Sequence, residues 1–528
     1  MHKHIWIVLI IFLEIYNNGG ANGLYTINAD DILTNISEGS NIDYDNVVII
    51  GDLDLGKIKL PVEHITQCTN GHLCLDLIMP KVNSSIRITN SEIEGNVHLN
   101  NTIFIGQINF DGTKFKSGTD FWSSLFYGDA SFRNTIFYSR AMFDDSEFKN
   151  DANFLGSRFY GDCDFIRTKF SEDTYFSGTE FGQKARFEGV IFSNDVYFKN
   201  STFRNEADFK RALFMGYAYF WDTEFFNEAE FWHSEFMGYV EFMGSRFNKN
   251  SDFSFAQFLK YADFKDVEFK ESVDYQSAIF NEDAYFSSSQ VSKRANFNNA
   301  LLGKKFSLNE AEINIIQLLG ITTGDDFLLS LDGATFNRIL IRWDTIKDHL
   351  DYDGAVYLAL VKNFNAIEYF SDADNCYFQY KELSKERKSL GISKLIDILW
   401  GCACGYGVRP GNTIILSLTL IVLFSAIYWA GGGIYKINYS GKEIKTFKER
   451  IGELGRLIKS KSLKEWKISF RDSTFIDMLH FSTLIFISMS TGEWLPSRPW
   501  GFVVIIERLL GWLLLALFIV TLSHVLIR

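Results

Sequence analysis

From about residue 82 to residue 300 the chain repeats itself every eleven residues. One phenylalanine series runs Phe110, Phe121, Phe132, Phe143, Phe154, Phe165 and on to Phe297, with Tyr275 the single substitute. A second series runs Phe104, Phe115, Phe126, Phe137 and on to Phe280, each member six residues before one of the first. Upstream the same slots hold Ile88, Ile93 and Leu99. Two residues before each first-series Phe stands a small or β-branched residue, as at Ala130, Ala141, Ala152, Cys163 and Thr174; three residues after it stands another, as at Thr113, Ser124, Thr135 and Ser146.

Each half-repeat therefore reads small-x-Phe followed by turn residues. An α-helix with an eleven-residue period is the first alternative. A five-residue step turns a helix by about 140°, which would put the two Phe series on different faces. A strand fits better, because residues i and i−2 point to the same side. The small residue and the Phe then face inward, and the intervening Gly, Asn, Asp and Lys make corners. A unit this short cannot bury its Phe alone, so units must stack. The pattern predicts a β-solenoid with two repeats, about 22 residues, per coil. Rising about 4.8 Å per coil, ten coils would make a rod of about 50 Å.

The stretch ADFKRALFMGYAYFWDTEF (207–225) and its neighbours resemble the pentapeptide-repeat family, in a Phe-rich variant where five- and six-residue units alternate. The resemblance implies a right-handed, four-sided parallel β-helix in which Phe110, Phe121, Phe132, Phe143, Phe154 and Phe165 are solenoid core and carry no catalysis. Some members of that family are acidic rods that mimic DNA and bind topoisomerases. The net charge of −13 agrees with such a rod and argues against a nucleic-acid-binding surface, which is ordinarily basic.

Export argues against a DNA mimic. The first 24 residues have a short basic start, an apolar run from Ile5 to Leu13 and small residues after it. That is a secretory signal pattern, expected to end near Ala21 and too short to span as a stable helix. Asn35, Asn83, Asn100 and Asn200 stand in glycosylation sequons, compatible with an exported surface. The six cysteines are too few for a disulfide scaffold in 528 residues. Cys68 and Cys74 flank a Gly/Asn loop and are the disulfide candidate; a metal site with His72 is the alternative, but it lacks ligands and no metal is expected. Cys163 occupies an Ala slot. Cys402 and Cys404 stand just before an apolar segment and are expected to pack.

Residues 25–81 read as an N-terminal cap, because NVVIIGDLDLGKIKLP alternates like strands and stops at Pro61. FSLNEAEINIIQL and LSLDGATFNRILI match at a spacing of 23 residues, which carries the solenoid (82–343) past the Phe ladder. Residues 350–390 then show apolar residues at helical spacing in two runs, an antiparallel hairpin resembling a single tetratricopeptide-like unit. A packed spacer is the expectation, since one unit offers little peptide-binding groove. Within the next segment, 391–409, Ile392–Trp400 is a short amphipathic helix suited to a membrane surface. The Gly405-Tyr406-Gly407 that follows resembles a potassium-channel filter only by letter, because the first spanning helix is still to come.

Residues 413–430 carry no charge and end in Tyr428, Trp429 and a Gly triplet, which is a spanning helix with an interfacial belt. A loop at 436–471 with eleven Lys and Arg follows, then the shorter apolar segment 475–490, then a second spanning helix over 502–527. This order resembles the two-transmembrane domain of potassium channels across 410–528. FISMSTGEWLP (486–496) lies without a gap over the family's F-T-T-x-G-Y-G-D-x-x-P, with Phe486, Gly492 and Pro496 identical. Ser490 replaces the first filter glycine, Thr491 the tyrosine and Glu493 the aspartate, and this puts a potassium-type carbonyl stack in doubt. The pore candidates are Ser488, Met489, Ser490, Thr491, Gly492 and Glu493. An exported solenoid would make the basic loop cytoplasmic, in keeping with the positive-inside rule, and the turn would re-enter from that side; basic residues before the first helix weaken this charge argument.

The sequence thus predicts a cell-membrane protein: an exported β-helix on the extracytoplasmic side, a helical spacer and a pore-like unit. It would pass monovalent cations with weak selectivity as a homo-oligomer, a tetramer if channel-like, with an extracellular partner of unknown kind on the solenoid. The alternative is a structural or adhesive surface protein whose membrane part only anchors it. No carboxylate pair, triad, phosphate loop or metal spacing points to an enzyme or a cofactor.

Overall fold

The computed structural model describes residues 25–69, 73–436, 474–492 and 494–526. The chain divides between Val356 and Tyr357 into two compact units. The first is a parallel β-solenoid of about 14 turns.

Each coil of the solenoid carries four two-residue strands, as at Ile103–Phe104, Ile108–Asn109, Lys114–Phe115 and Thr119–Asp120. Through the Phe ladder each strand pairs in parallel with the one 22 residues on: Phe104 with Phe126, Ala130 with Ala152, Phe115 with Phe137. Steps of five and six residues alternate between strands, so two eleven-residue repeats close one coil on four sides. Both Phe series point inward and are buried, from Phe104 and Phe110 through Phe280 and Phe297. Within a series the rings stack from coil to coil: Phe132 on Phe154 at 4.9 Å and 3°, Phe143 on Phe165 at 4.8 Å and 4°. Successive first-series rings meet edge to face, Phe143 and Phe154 at 5.5 Å and 86°. Such pairs contribute about 0.5–1.5 kcal/mol beyond area burial.

The corners explain the residues between. After the first-series Phe residues the chain turns with the second residue at positive φ, in most coils with an i to i+3 hydrogen bond. Asn134 has φ 55° and Thr135 N donates to Phe132 O at 3.3 Å; Asp145 has φ 56° and Ser146 N donates to Phe143 O at 3.2 Å. This is type II turn geometry, which favours Gly or Asn at that position. The buried hydroxyl following the turn is satisfied by the coil before it. Thr135 Oγ1 donates to Phe110 O at 2.9 Å and Ser146 Oγ to Phe121 O at 2.7 Å, which satisfies these two buried hydroxyls. Ion pairs climb the outside in the same 22-residue steps, such as Lys114–Glu92 and Arg167–Asp145. Asp164, fully buried, lies between Arg140 and Arg186. Cys163 sits in register between Ala141 and Ala185, and burial pushes its thiol well up.

The solenoid is longer than the Phe ladder indicates. One of its ladders has thirteen parallel strands, from Ile42–Asp45 to Leu328–Ser330, a stack of about 58 Å at about 4.8 Å per step. The lead-in residues make coils too, with Tyr25–Asn28 pairing Val47–Ile50 in the same 22-residue register. Helix α1 (Ala29–Ser37) lies between those strands, capped by the Asn28 side chain and burying Ile32, Leu33 and Ile36. Strands Val62–Thr69 and Leu73–Val82 instead form an antiparallel hairpin whose register sets Cys68 opposite Cys74; the side chains there, and His72, lie outside the described residues. Last come the strand Thr335–Leu340 and the short helix α2 (Trp343–Ile346).

Two helices, α3 (Gly354–Ala366) and α4 (Phe370–Arg387), make the hairpin. Leu360, Phe364, Ala373 and Cys376 are buried, and burial raises the Cys376 thiol. The second unit continues with α5 (Ile392–Cys404), α6 (Pro410–Gly431), α7 (Phe475–Phe486) and α8 (Gly501–Leu526).

Candidate functional site

Helices α6 and α8 are long and apolar enough to cross a membrane. Their 22 and 26 residues span about 33 and 39 Å, against a hydrocarbon core of about 30 Å. Pro410 opens α6 in its first turn, and Gly432 in the left-handed region closes it. Strand Ile434–Lys436, just after α6, pairs antiparallel with Trp494–Pro496, just before α8. That pairing brings the end of one helix beside the start of the next.

Among the described residues between these strands is a half-length helix. Helix α7 has 12 residues, about 18 Å. A capping box starts it: Asp477 N donates to Thr474 Oγ1 at 3.2 Å and Thr474 N to Asp477 Oδ2 at 2.9 Å. Its first turns pack with Tyr428, Ile434 and Val504 near the strand pair, and its end at Phe486 packs with Ile421 and Leu514 in the middle of the long helices. Gly511 of α8 makes this crossing possible, because a Cβ there would lie 2.1 Å from Phe486 O. Helix α7 therefore enters from the strand-pair side and stops about halfway.

A Schellman motif ends it. Met489 N donates to Leu484 O at 2.8 Å and Ser488 N to Ile485 O at 3.0 Å, with Ser488 at φ 60° where glycine is usual. The Trp512 indole of α8 donates to the Ser488 hydroxyl and holds it there. The chain then returns through the pore candidates. Met489, Ser490 and Gly492 are exposed, Gly492 has φ 61°, and the Thr491 hydroxyl donates to Trp494 O at 2.9 Å. Glu493 lies outside the described residues.

Glu507 stands in the second turn of α8. In the structure it is fully buried, on α8, where all three helices meet. Tyr428 Oη of α6 donates to Glu507 Oε2 at 2.6 Å, and Ser482 Oγ of α7 bonds Glu507 Oε1 and reaches Ile421 O at 3.0 Å. One carboxyl thus ties both long helices to the half-length one. Ionisable residues at such depth mark function in membrane proteins more often than packing.

The described residues also bring Glu206, Asp208 and Glu230 together on the solenoid surface. Lys184 and Lys210 pair with them, which makes the cluster an ion-pair network.

Comparison with known families decides the first unit. The family model described as pentapeptide repeats (9 copies) matches residues 88–136, 154–202 and 187–235, all within the stacked coils. The solenoid is a pentapeptide-repeat β-helix. Pentapeptide-repeat solenoids are generally structural or protein-interaction modules rather than enzymes. The matched segments end before α6, so they leave the two long apolar helices and α7 without a family. No curated protein and no solved structure matches the chain.

Proposed function

We propose that the second unit is a cation-passing pore built on the plan of two-transmembrane channels, assembled from several copies of the chain and carried in a cell membrane. One observation carries the reading. The irregular turn at 487–492 begins halfway along α6 and α8, with polar, exposed residues. Non-helical backbone at such depth is tolerated only inside protein or beside a water-filled cavity. In one chain it has neither, so copies arranged around a shared axis, four if the plan is potassium-channel-like, would supply the cavity. A ring of Glu493 in such an assembly would favour cations. Without the first filter glycine and the tyrosine, weak selectivity among monovalent cations is expected. The pentapeptide-repeat unit is read as lying on the extracytoplasmic side, on the strength of the signal pattern and the basic loop.

The engaged hydroxyls of Ser488 and Thr491 favour a second reading, a closed membrane anchor for a structural or adhesive solenoid. Flux measurements on the full-length protein in liposomes separate the two, with potassium and sodium gradients applied in turn. Flux that Glu493→Ala alters supports the pore. No flux from wild type under either gradient removes it and leaves the anchor.

A further inference from the structure

The Gly405-Tyr406-Gly407 segment, unusable as a filter, takes a different and strained form. Three consecutive residues have left-handed backbone, at φ 56°, 59° and 93°. Glycine adopts this freely, but tyrosine does not. Strain of this kind persists only where the surroundings hold it, and here they do. The Tyr406 side chain is buried, and its hydroxyl donates to Glu382 Oε1 on α4 at 2.7 Å. Its ring lies 5.8 Å from Phe378 of α4, and the Arg409 guanidinium sits 3.5 Å over that same Phe378 ring. Burial alone would raise the Glu382 carboxyl, yet hydrogen bonds from Lys385 and Tyr406 hold it below its usual range. On the other side Thr413 Oγ1, in the first turn of α6, donates to Ala403 O of α5 at 2.8 Å.

The place of this segment matters as much as its shape. It immediately precedes α6, at the end away from the strand pair, and α8 touches both it and α5. Because α6 and α8 are joined by the strand pair at their other ends, the part of α8 that reaches it is the C-terminal half. The segment thus touches both long helices, at the end opposite the strand pair.

We propose that Gly405–Gly407 is a sprung hinge between the helical hairpin and α6, latched by the Tyr406–Glu382 hydrogen bond, whose release lets α6 move relative to the hairpin. The inference rests on the reading that α6 spans the membrane. The assay uses the full-length protein in lipid nanodiscs with Cys402→Ser and spin labels at Glu386→Cys on α4 and Ile415→Cys on α6, both exposed positions. Tyr406→Phe removes only the latch hydroxyl, and Glu382→Leu removes its acceptor. Both are expected to broaden the inter-label distance distribution and shift it to longer distances. Glu382→Gln keeps an acceptor and is expected to restore the narrow wild-type distribution, which a merely structural glutamate would not require. An unchanged distribution in either Tyr406→Phe or Glu382→Leu overturns the latch. Oxygen accessibility of the Ile415 label is read in the same samples. A label that is not lipid-exposed refutes the spanning reading whatever the distances show.

Discussion

The Glu507 cluster sets a quantitative expectation. Tyr428, Ser482 and Glu507 are all fully buried, so a hydroxyl that loses its partner there gains no water in exchange. In soluble proteins a hydrogen bond to a carboxyl contributes about 1.5–3 kcal/mol. Interhelical bonds in membranes average about 0.6 and reach about 1.7 kcal/mol, because the unfolded state finds partners as well. A 2.6 Å bond between two fully buried groups belongs at the upper end, so the Tyr428–Glu507 coupling is expected at about 1.5 kcal/mol. Tyr428→Phe should lose roughly that amount, and Glu507→Leu about 2 kcal/mol, since it strands the Tyr428 hydroxyl while Ser482 keeps Ile421 O as an acceptor. The double variant should then be less destabilised than the sum of the two by about 1.5 kcal/mol. The assay is unfolding of the full-length protein in mixed micelles of rising SDS fraction, followed by helical circular dichroism, to which the solenoid contributes little. Losses that add to within about 0.5 kcal/mol would show that the two groups do not depend on each other, and would refute the three-helix tie.

Three further outcomes follow from the geometry. Gly511→Ala must push α7 away from α8 and should cost about 2 kcal/mol or more in the same micelle assay, whereas Gly492→Ala, with open space at its Cβ, should cost less. Phe143→Ala removes a ring stacked on Phe121 and Phe165 and should destabilise the solenoid by about 3–5 kcal/mol, with hydrogen exchange rising first in the coils holding those two residues. Asp144 is half-buried, and burial pushes its carboxyl up to about 6 from 3.8. The folded state then binds a proton more tightly than the unfolded chain, so this group lowers stability as pH rises from about 4 through 6 and does so fully above that. Asp144→Asn keeps the acceptor for Ile166 N. It should therefore stabilise the protein at pH 7, leave it nearly unchanged at pH 4, and flatten the pH dependence of thermal unfolding between the two.

What the sequence made legible was whatever recurs. Phe110 and its successors define a strand period, and the small residues two positions earlier define the inward face. The left-handed corner was legible as well, since Gly112, Ser123, Asn134, Asp145 and Gly156 recur every eleven residues. Arg167, His233 and Phe255 in the same slot obscure it, because stacking lets a single coil tolerate a poor turn residue. The coils before the ladder read only as a cap, because their cores use Ile, Leu and Val and because the hairpin interrupts their spacing. The features of the second unit that matter most do not recur at all. Glu507 reads, beside Arg508, as one of two charges near the start of an apolar run, and only the fold shows that Tyr428 and Ser482, 79 and 25 residues away, converge on it. Gly511 likewise reads as an ordinary small residue until Phe486 O is seen against it.

Through the Phe ladder the 22-residue register makes the solenoid a ruler with a fixed unit. A whole coil can be inserted or removed and every later side chain keeps its face, whereas eleven residues, although a complete sequence repeat, would rotate everything downstream by half a turn and exchange opposite sides. The N-terminal hairpin shows how other material is accommodated. Ile42 pairs with Ile86 across 44 residues, one coil plus a looped-out segment of equal length, and the ladders resume without a slip. Length variation in proteins of this kind should therefore be quantised in the coils and free in the loops, and any surface read by a partner can be moved along the rod without being redesigned.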